Sequence, residues 1–254
     1  LLNGIEKLYN HNPDTFLIIE IGANDGIMND RFHAFIKKND PNAIFVEPIG
    51  DYYSALVANY QNNKNSIFVN AAIDVNEGSR EMHYIPYKLI LDKKVKFRME
   101  KTPELLSTHW AMGLGTFHPE KNNIACPELL VYKKNTIVKT ITFDFLLNKY
   151  NIYKYDNIII QTDCEGHDYM LLKTFPFNRI NPIVYISEIY SKIRYPDSHP
   201  NYTGPGGEGY IQEEGLYTKF EEEDAKKIFH SFEYNLFRNN DLIAVKKSFL
   251  KLLK

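Results

Sequence analysis

A stretch near the N-terminus concentrates residues able to handle a small charged ligand. In "FLIIEIGANDG", residues 16–26, an apolar run ends in Glu20 and turns through Gly22, Asn24 and Gly26. Glycine adopts backbone conformations closed to other residues and lets a main chain approach a ligand, so the run reads as a strand opening into a binding turn. The order is E-x-G-x-N-x-G. A dinucleotide fingerprint needs a third glycine, but Asn29 stands there. A P-loop needs Gly-Lys-Ser/Thr, which does not follow. An acid in this turn would repel a diphosphate and suits a cationic centre or an ammonium group. A second apolar run, "NAIFVEP", ends in Glu47, 27 positions beyond Glu20. A carboxylate there can accept two hydrogen bonds from the ribose hydroxyls of a nucleoside. S-adenosylmethionine carries a nucleoside, a sulfonium and an α-amino group, and so matches both acids.

More acids follow at the ends of apolar runs. "YDNIIIQTDCEGHD" reaches Asp163, Glu165 and His167, and "PIVYISEIY" reaches Glu188. "STHWAMGLGTFHPE" mixes small and aromatic residues around His109 and His118 and reads as a functional loop. Carboxylates and imidazoles at such places can take a proton from a weak nucleophile such as a hydroxyl. Asp163, Glu165, Glu188, His167, His109 and His118 are therefore candidates for a general base, with Asp163 or Glu165 expected nearest the acceptor. Other roles stay open. Asp163 could orient a ligand amine, and Glu165 could cap the positive end of the following helix. The three acids could hold a divalent cation, which is not the favoured reading. Trp110 and Tyr190 could stack on a sugar ring or belong to the core.

The elements that must position these residues alternate. A short helix is expected at 1–10, a strand at 16–21, a helix at about 28–38, a strand in "NAIFVEP" and a helix in "DYYSALVANYQN". "SIFVNAAI" reads as a third strand and "EMHYIPY" as an extra one. Periodicity is weak over 88–136. "ITFDFLLNKYN" reads as a helix opened by Thr142, followed by the strand before Asp163, the helix "DYMLLKTF", and the strand before Glu188. Residues 191–219 read as a loop carrying "GPGGEG". The helix "EEEDAKKIFHSF" and a hairpin around "RNND" close the pattern. Alternation of this kind means an α/β fold on a parallel sheet with right-handed crossovers, here with an antiparallel hairpin at its edge. One domain over 1–254 is the simplest account, with substrate loops expected at 88–136 and 191–219. Ligands of such sheets sit beyond the carboxyl ends of the strands where strand order reverses, which is where the turn and the acids would lie.

A net charge of −2 argues against a nucleic-acid partner held by a broad positive field. The densest basic cluster, Lys93, Lys94, Lys96, Arg98 and Lys101, reads as a solvated face or a local phosphate contact. Cys126 and Cys164 are too far apart in sequence for a metal motif or a disulfide framework, so a reducing, cytoplasmic setting is expected. No apolar run approaches the roughly 20 residues that span a bilayer, so no stable membrane insertion is expected, and no signal peptide is visible. The apolar, basic "SFLKLLK" at the C-terminus is expected to pack back on the domain.

The ordered set "IEIGANDG", "FVEP", "VNAAI" with "EGSREMHY", "TFDFLL" and "IIIQTDCEGHDYMLL" resembles the FkbM family of methyltransferases, within the class I S-adenosylmethionine-dependent fold. The D-x-E-G segment at Asp163, Glu165 and Gly166 is its most specific marker. The resemblance implies a Rossmann-like, seven-stranded, mostly parallel sheet with a reversed last strand in its C-terminal hairpin. It implies O-methylation of hydroxyls on sugars or other natural products. By position, Glu20, Gly22, Asn24 and Gly26 would line the methionine half of the cofactor, Glu47 would hold the ribose, and Asn70 and Ala71 would lie near the adenine. A nucleotide-activated sugar or a surface polysaccharide component is the preferred acceptor, by analogy at the level of the family. Two rivals remain, a nicotinamide-dependent oxidoreductase and a non-catalytic sugar-binding module. A homo-oligomer is compatible with all three.

Overall fold

A computed structural model of the chain describes residues 1–28, 30–97, 106–107, 109–120, 127–190, 193–195, 210–212, 217–239 and 241–252. In chain order its strands are β1 (Phe16–Ile21), β2 (Asn42–Val46), β3 (Ser66–Val69), β4 (Ala72–Ile73), β5 (Gly78–Tyr84), β6 (Lys96–Phe97), β7 (Leu106–Ser107), β8 (Lys134–Ile141), β9 (Asn157–Thr162), β10 (Val184–Ser187), β11 (Ile193–Tyr195), β12 (Tyr210–Gln212), β13 (Tyr234–Asn239) and β14 (Asp241–Lys246). Seven of them form the main sheet in the order β13-β14-β10-β9-β1-β2-β3. β1 lies at its centre, parallel to both β2 and β9. An apolar run suits that place because both faces are covered. Leu17, Ile19 and Ile21 enter one hydrophobic cluster, while Phe16 and Ile18 enter the other.

β14 is antiparallel to both β10 and β13, so it alone runs against the sheet, and β13 forms the edge. The expected antiparallel edge is thus one strand further in: the last strand inserts between β10 and β13. The order reverses between β1 and β9, which puts the switch point at the ends of the two acid-bearing runs. The C-terminal helix Lys247–Leu252 packs back on the sheet through Phe249, which is buried in the same cluster as Ile5 of the first helix. Among the described residues no helix is long and apolar enough to cross a membrane.

Three expectations differ from what is observed. The helix expected at 28–38 begins only at His33 and runs to Asn39. Asp25 Oδ1 accepts from the N–H groups of Ile27 and Met28, and Asp30 Oδ1 from Phe32, so side chains hold the backbone in turns there. "SIFVNAAI" is two strands. Asn70 leaves the main sheet and donates from Nδ2 to the carbonyls of Glu47 and Pro48 at 2.9 and 3.1 Å. β4 then joins β8 and β5 in a separate three-stranded sheet with the order β4-β8-β5. β8 lies partly in the stretch read as aperiodic and runs into the expected helix. Its Ile137 points outward while Val138 and Thr140 point inward, so the apolar residues do not mark one face. The "GPGGEG" loop, Cys126, Arg98 and Lys101 lie outside the described residues.

Near the C-terminus, the helix Lys219–Ser231 opens with a capping box: Thr218 Oγ1 accepts from Glu221 N–H, and Glu221 Oε2 accepts from Thr218 N–H. Thr218→Ala should lower stability by about 1 kcal/mol, seen as a lower thermal midpoint with ligand affinity unchanged. A variant melting like the wild type would show that the cap adds nothing here.

Candidate active site

Two turns meet at the carboxyl end of the sheet centre. The first leaves β1 with Gly22 at φ +80° and Asn24 at φ +53°, both left-handed. A Cβ on Gly22 would lie 1.9 Å from the carbonyl oxygen of Asp163, so glycine is what lets the two turns touch. Asp163 N–H donates to the Ile21 carbonyl at 3.0 Å across that contact. A Cβ on Gly26 would lie 2.4 Å from the Tyr60 ring. The sequence suggested that these glycines make room for a ligand; the neighbour each makes room for is the protein itself.

The acids of the first turn divide. Glu20 is 2% exposed and turns towards the cluster of Phe16 and Ile18, away from open space. Burial, and then the charge of Asp30, hold its carboxyl well above the usual carboxylate range. Asp30 Oδ2 in turn accepts from the Tyr60 hydroxyl at 3.1 Å. Glu20 supports the turn from behind. Glu47 instead grips it: Oε2 accepts from Asn24 N–H at 2.9 Å and Oε1 from Ile49 N–H at 2.8 Å. Burial pushes Glu47 up to about 8 against the pull of those two donors. A carboxylate oxygen can accept two hydrogen bonds and each here takes one from the backbone, so each has one lone pair left for a ligand hydroxyl. Asn70 is exposed beside Glu47, and Ala71 is buried next to it.

The second turn, Asp163 to Asp168, follows β9. Asp168 is fully buried and folds it, its Oδ2 accepting from Cys164 N–H at 3.0 Å and from the Tyr217 hydroxyl at 2.8 Å. Glu165 has φ +46°, an uncommon conformation for a residue with a side chain and one that recurs at functional turns. The ends of β9 and β10 are pinned by a 3.0 Å hydrogen bond from Thr162 Oγ1 to Ser187 Oγ, which brings Glu188 beside Asp163. Asp163, Glu165 and Glu188 each offer a carboxylate oxygen, all within 4.8 Å of one another. Burial first, then the charges of Asp168 and Asp241, push Asp163 up to about 7, while Glu188 and Arg31 oppose the rise. Burial, then the charges of Glu165, Asp163 and Asp168, hold Glu188 well above the usual carboxylate range. Asp163 is exposed to solvent at the start of this turn, although neighbouring groups crowd its carboxyl. An accessible carboxylate that titrates near neutrality is placed to take a proton. The same three oxygens could hold a divalent cation or face an ammonium group.

The family model described as the methyltransferase FkbM domain matches residues 20–204, a span that takes in both turns. The chain belongs to the FkbM methyltransferase family. It is accordingly a methyltransferase. No curated protein matches the chain.

In this FkbM domain the two turns bring Asn24, Glu47, Asp163, Glu165 and Glu188 to one region, and leave Glu20 behind it. Tyr190 stands next to the acids, its hydroxyl donating to Glu188 Oε1 at 3.4 Å. His167 precedes the helix Asp168–Thr174 and is buried, pointing to Asp74 instead of Asp163, with 3.3 Å from Nε2 to Asp74 Oδ1. His118 Nε2 lies 3.3 Å from His167 Nδ1. His109 and Trp110 begin the short helix His109–Gly113, and their side chains lie outside the described residues. Sequence reasoning missed Asp168 and Tyr217, which shape the second turn, and Thr116, whose Oγ1 donates to the Glu165 carbonyl at 2.6 Å. An acid in the first turn of a helix was a signal for Asp168. Tyr217 and Thr116 have none, since each arrives from a distant segment.

Proposed function

We propose that the chain is an S-adenosylmethionine-dependent O-methyltransferase acting on a sugar hydroxyl, as a nucleotide-activated sugar or a component of a surface polysaccharide. The observation that carries this reading is the Asp163–Glu165–Glu188 cluster, with Asp163 pushed up to about 7 and exposed beside the turn gripped by Glu47. Glu47 would receive the ribose hydroxyls on its remaining lone pairs. Asn24 and Gly22 would shape the wall for the methionine half, and Asn70 and Ala71 would border the adenine. The cofactor supplies a methyl group already activated by a positive sulfur. Asp163 receives the proton of the acceptor hydroxyl as that oxygen becomes a nucleophile, and Glu188 keeps its own proton and steadies the carboxylate. Glu165 and Tyr190 can hold neighbouring hydroxyls, which favours a polyol ring over an isolated alcohol. Alignment of acceptor and methyl group contributes several kcal/mol in reactions of this kind.

Calorimetric titration with S-adenosylhomocysteine tests the cofactor half. Micromolar binding that weakens about tenfold or more in Glu47→Ala, on the order of 1.4 kcal/mol, supports it and justifies screening nucleotide sugars as acceptors. No binding by the well-folded wild type sinks it.

A further inference from the structure

The segment 111–118 crosses between the two turns. Near one end the Met112 carbonyl accepts from Asn24 Nδ2 at 3.0 Å. In the middle, a Cβ on Gly113 would lie 3.3 Å from Glu165 Oε1, and one on Gly115 would lie 2.7 Å from Ile49, whose N–H holds Glu47. At the other end Thr116 Oγ1 donates to the Glu165 carbonyl, and His118 meets His167. Asn24, Ile49 and Glu165 are thus each part of, or next to, a group assigned to the cofactor or the acceptor.

The backbone pairing of the segment lies with a different sheet. Thr116 and His83 of β5 exchange two backbone hydrogen bonds of 2.9 Å each, and Ala111, Met112 and Leu114 pack in the cluster of the three-stranded sheet with Met82 and Val138. The small sheet holds the segment by backbone pairing and apolar contact. Among the described residues, three side-chain hydrogen bonds tie it to the two turns: Asn24 to Met112, Thr116 to Glu165, and His118 to His167. The last is oriented from behind. Arg80 and the Val75 N–H hold Asp74 as a carboxylate, although its burial works against that. Facing it, His167 Nε2 lies 3.3 Å from Asp74 Oδ1, and the other ring nitrogen, Nδ1, shares a hydrogen bond with His118 Nε2. Three separable side-chain ties on a segment whose backbone is paired to another sheet make an element that can shift from the turns, sliding on its apolar contact with Ile49, without unfolding.

We propose that Ala111–His118 is a strap that closes over the cofactor, and that breaking its ties to Asn24, Glu165 and His167 sets the rate at which the cofactor product leaves. This rests on the cofactor reading above. The test follows radiolabelled S-adenosylhomocysteine leaving into an excess of unlabelled ligand. Thr116→Val keeps the shape and the backbone pairing with His83 and removes one tie. It should release the ligand about tenfold faster, the size of one buried hydrogen bond, with association unchanged. Thr116→Ser should restore the wild-type rate. His118→Leu, at a partly exposed position, cuts a second tie and should act in the same direction even if Thr116→Val fails to fold. Release at the wild-type rate in the folded variants, with full binding by calorimetry, overturns the strap and leaves the cofactor reading intact. Absence of calorimetric binding by the wild type removes the cofactor reading, and the strap with it.

Discussion

Asp163→Asn should lower the rate of methyl transfer by roughly 10²–10⁴-fold, the usual contribution of a general base, with S-adenosylhomocysteine affinity kept within a few-fold. The amide preserves size and hydrogen bonding but cannot take a proton. The pH dependence follows from the same group. Asp163 acts when deprotonated, and burial with the Asp168 and Asp241 charges places its titration at about 7. The wild-type rate at saturating substrates should therefore climb as pH rises through 7 and level off above it, and the Asn variant should lose that limb. A variant that keeps its rate but loses cofactor affinity would reassign Asp163 to holding the cofactor amine. Activity that persists in excess chelator would separate proton transfer from a metal-held acceptor, the other use of three oxygens within 4.8 Å.

Gly22→Ala should cost about 2–4 kcal/mol, combining a left-handed backbone with an overpacked contact. A built Cβ stands 1.9 Å from the Asp163 carbonyl oxygen, a backbone atom that cannot rotate away. Either β1 and β9 part at their ends or the second turn moves. In a domain of this size such a loss lowers the thermal midpoint by roughly 5–15 °C. The displaced group is Asp163, so the surviving folded fraction should also transfer methyl groups slowly. A melting curve and a specific activity equal to the wild type would show that the contact is not the reason for a glycine at this position. Gly26→Ala is the natural companion, since the Tyr60 ring it would strike is a side chain with some freedom to yield, and it should cost less.

Much of this organisation was legible before any coordinates. The apolar run 16–21, the acids at 20 and 47, and the D-x-E-G segment are local features, and the α/β sheet with its reversed strand follows from their order. Element types came out well where period and capping agreed, as at Thr142, whose side chain does accept from Phe145 N–H. They failed where side-chain hydrogen bonds or outward apolar residues broke the period, as after Asp25 and along β8.

By itself the sequence determined the family and the apolar strand beside each acid. A buried parallel strand must be apolar throughout, and a strand-end turn must contain residues that bend, so both leave marks in consecutive positions. Only the tertiary structure decided which acids are open to a ligand. Glu20 and Asp163 both follow apolar runs, yet one is sealed against Asp30 and the other is open, because neighbours from distant segments set the burial of each. Proton affinity depends on that burial, on Asp168 in the same turn, and on Asp241, Glu188 and Arg31, which come from distant segments. The strap belongs to the same class. Its bonds join residues 24, 165 and 167 to a segment near 115, and no local pattern encodes contacts across such separations.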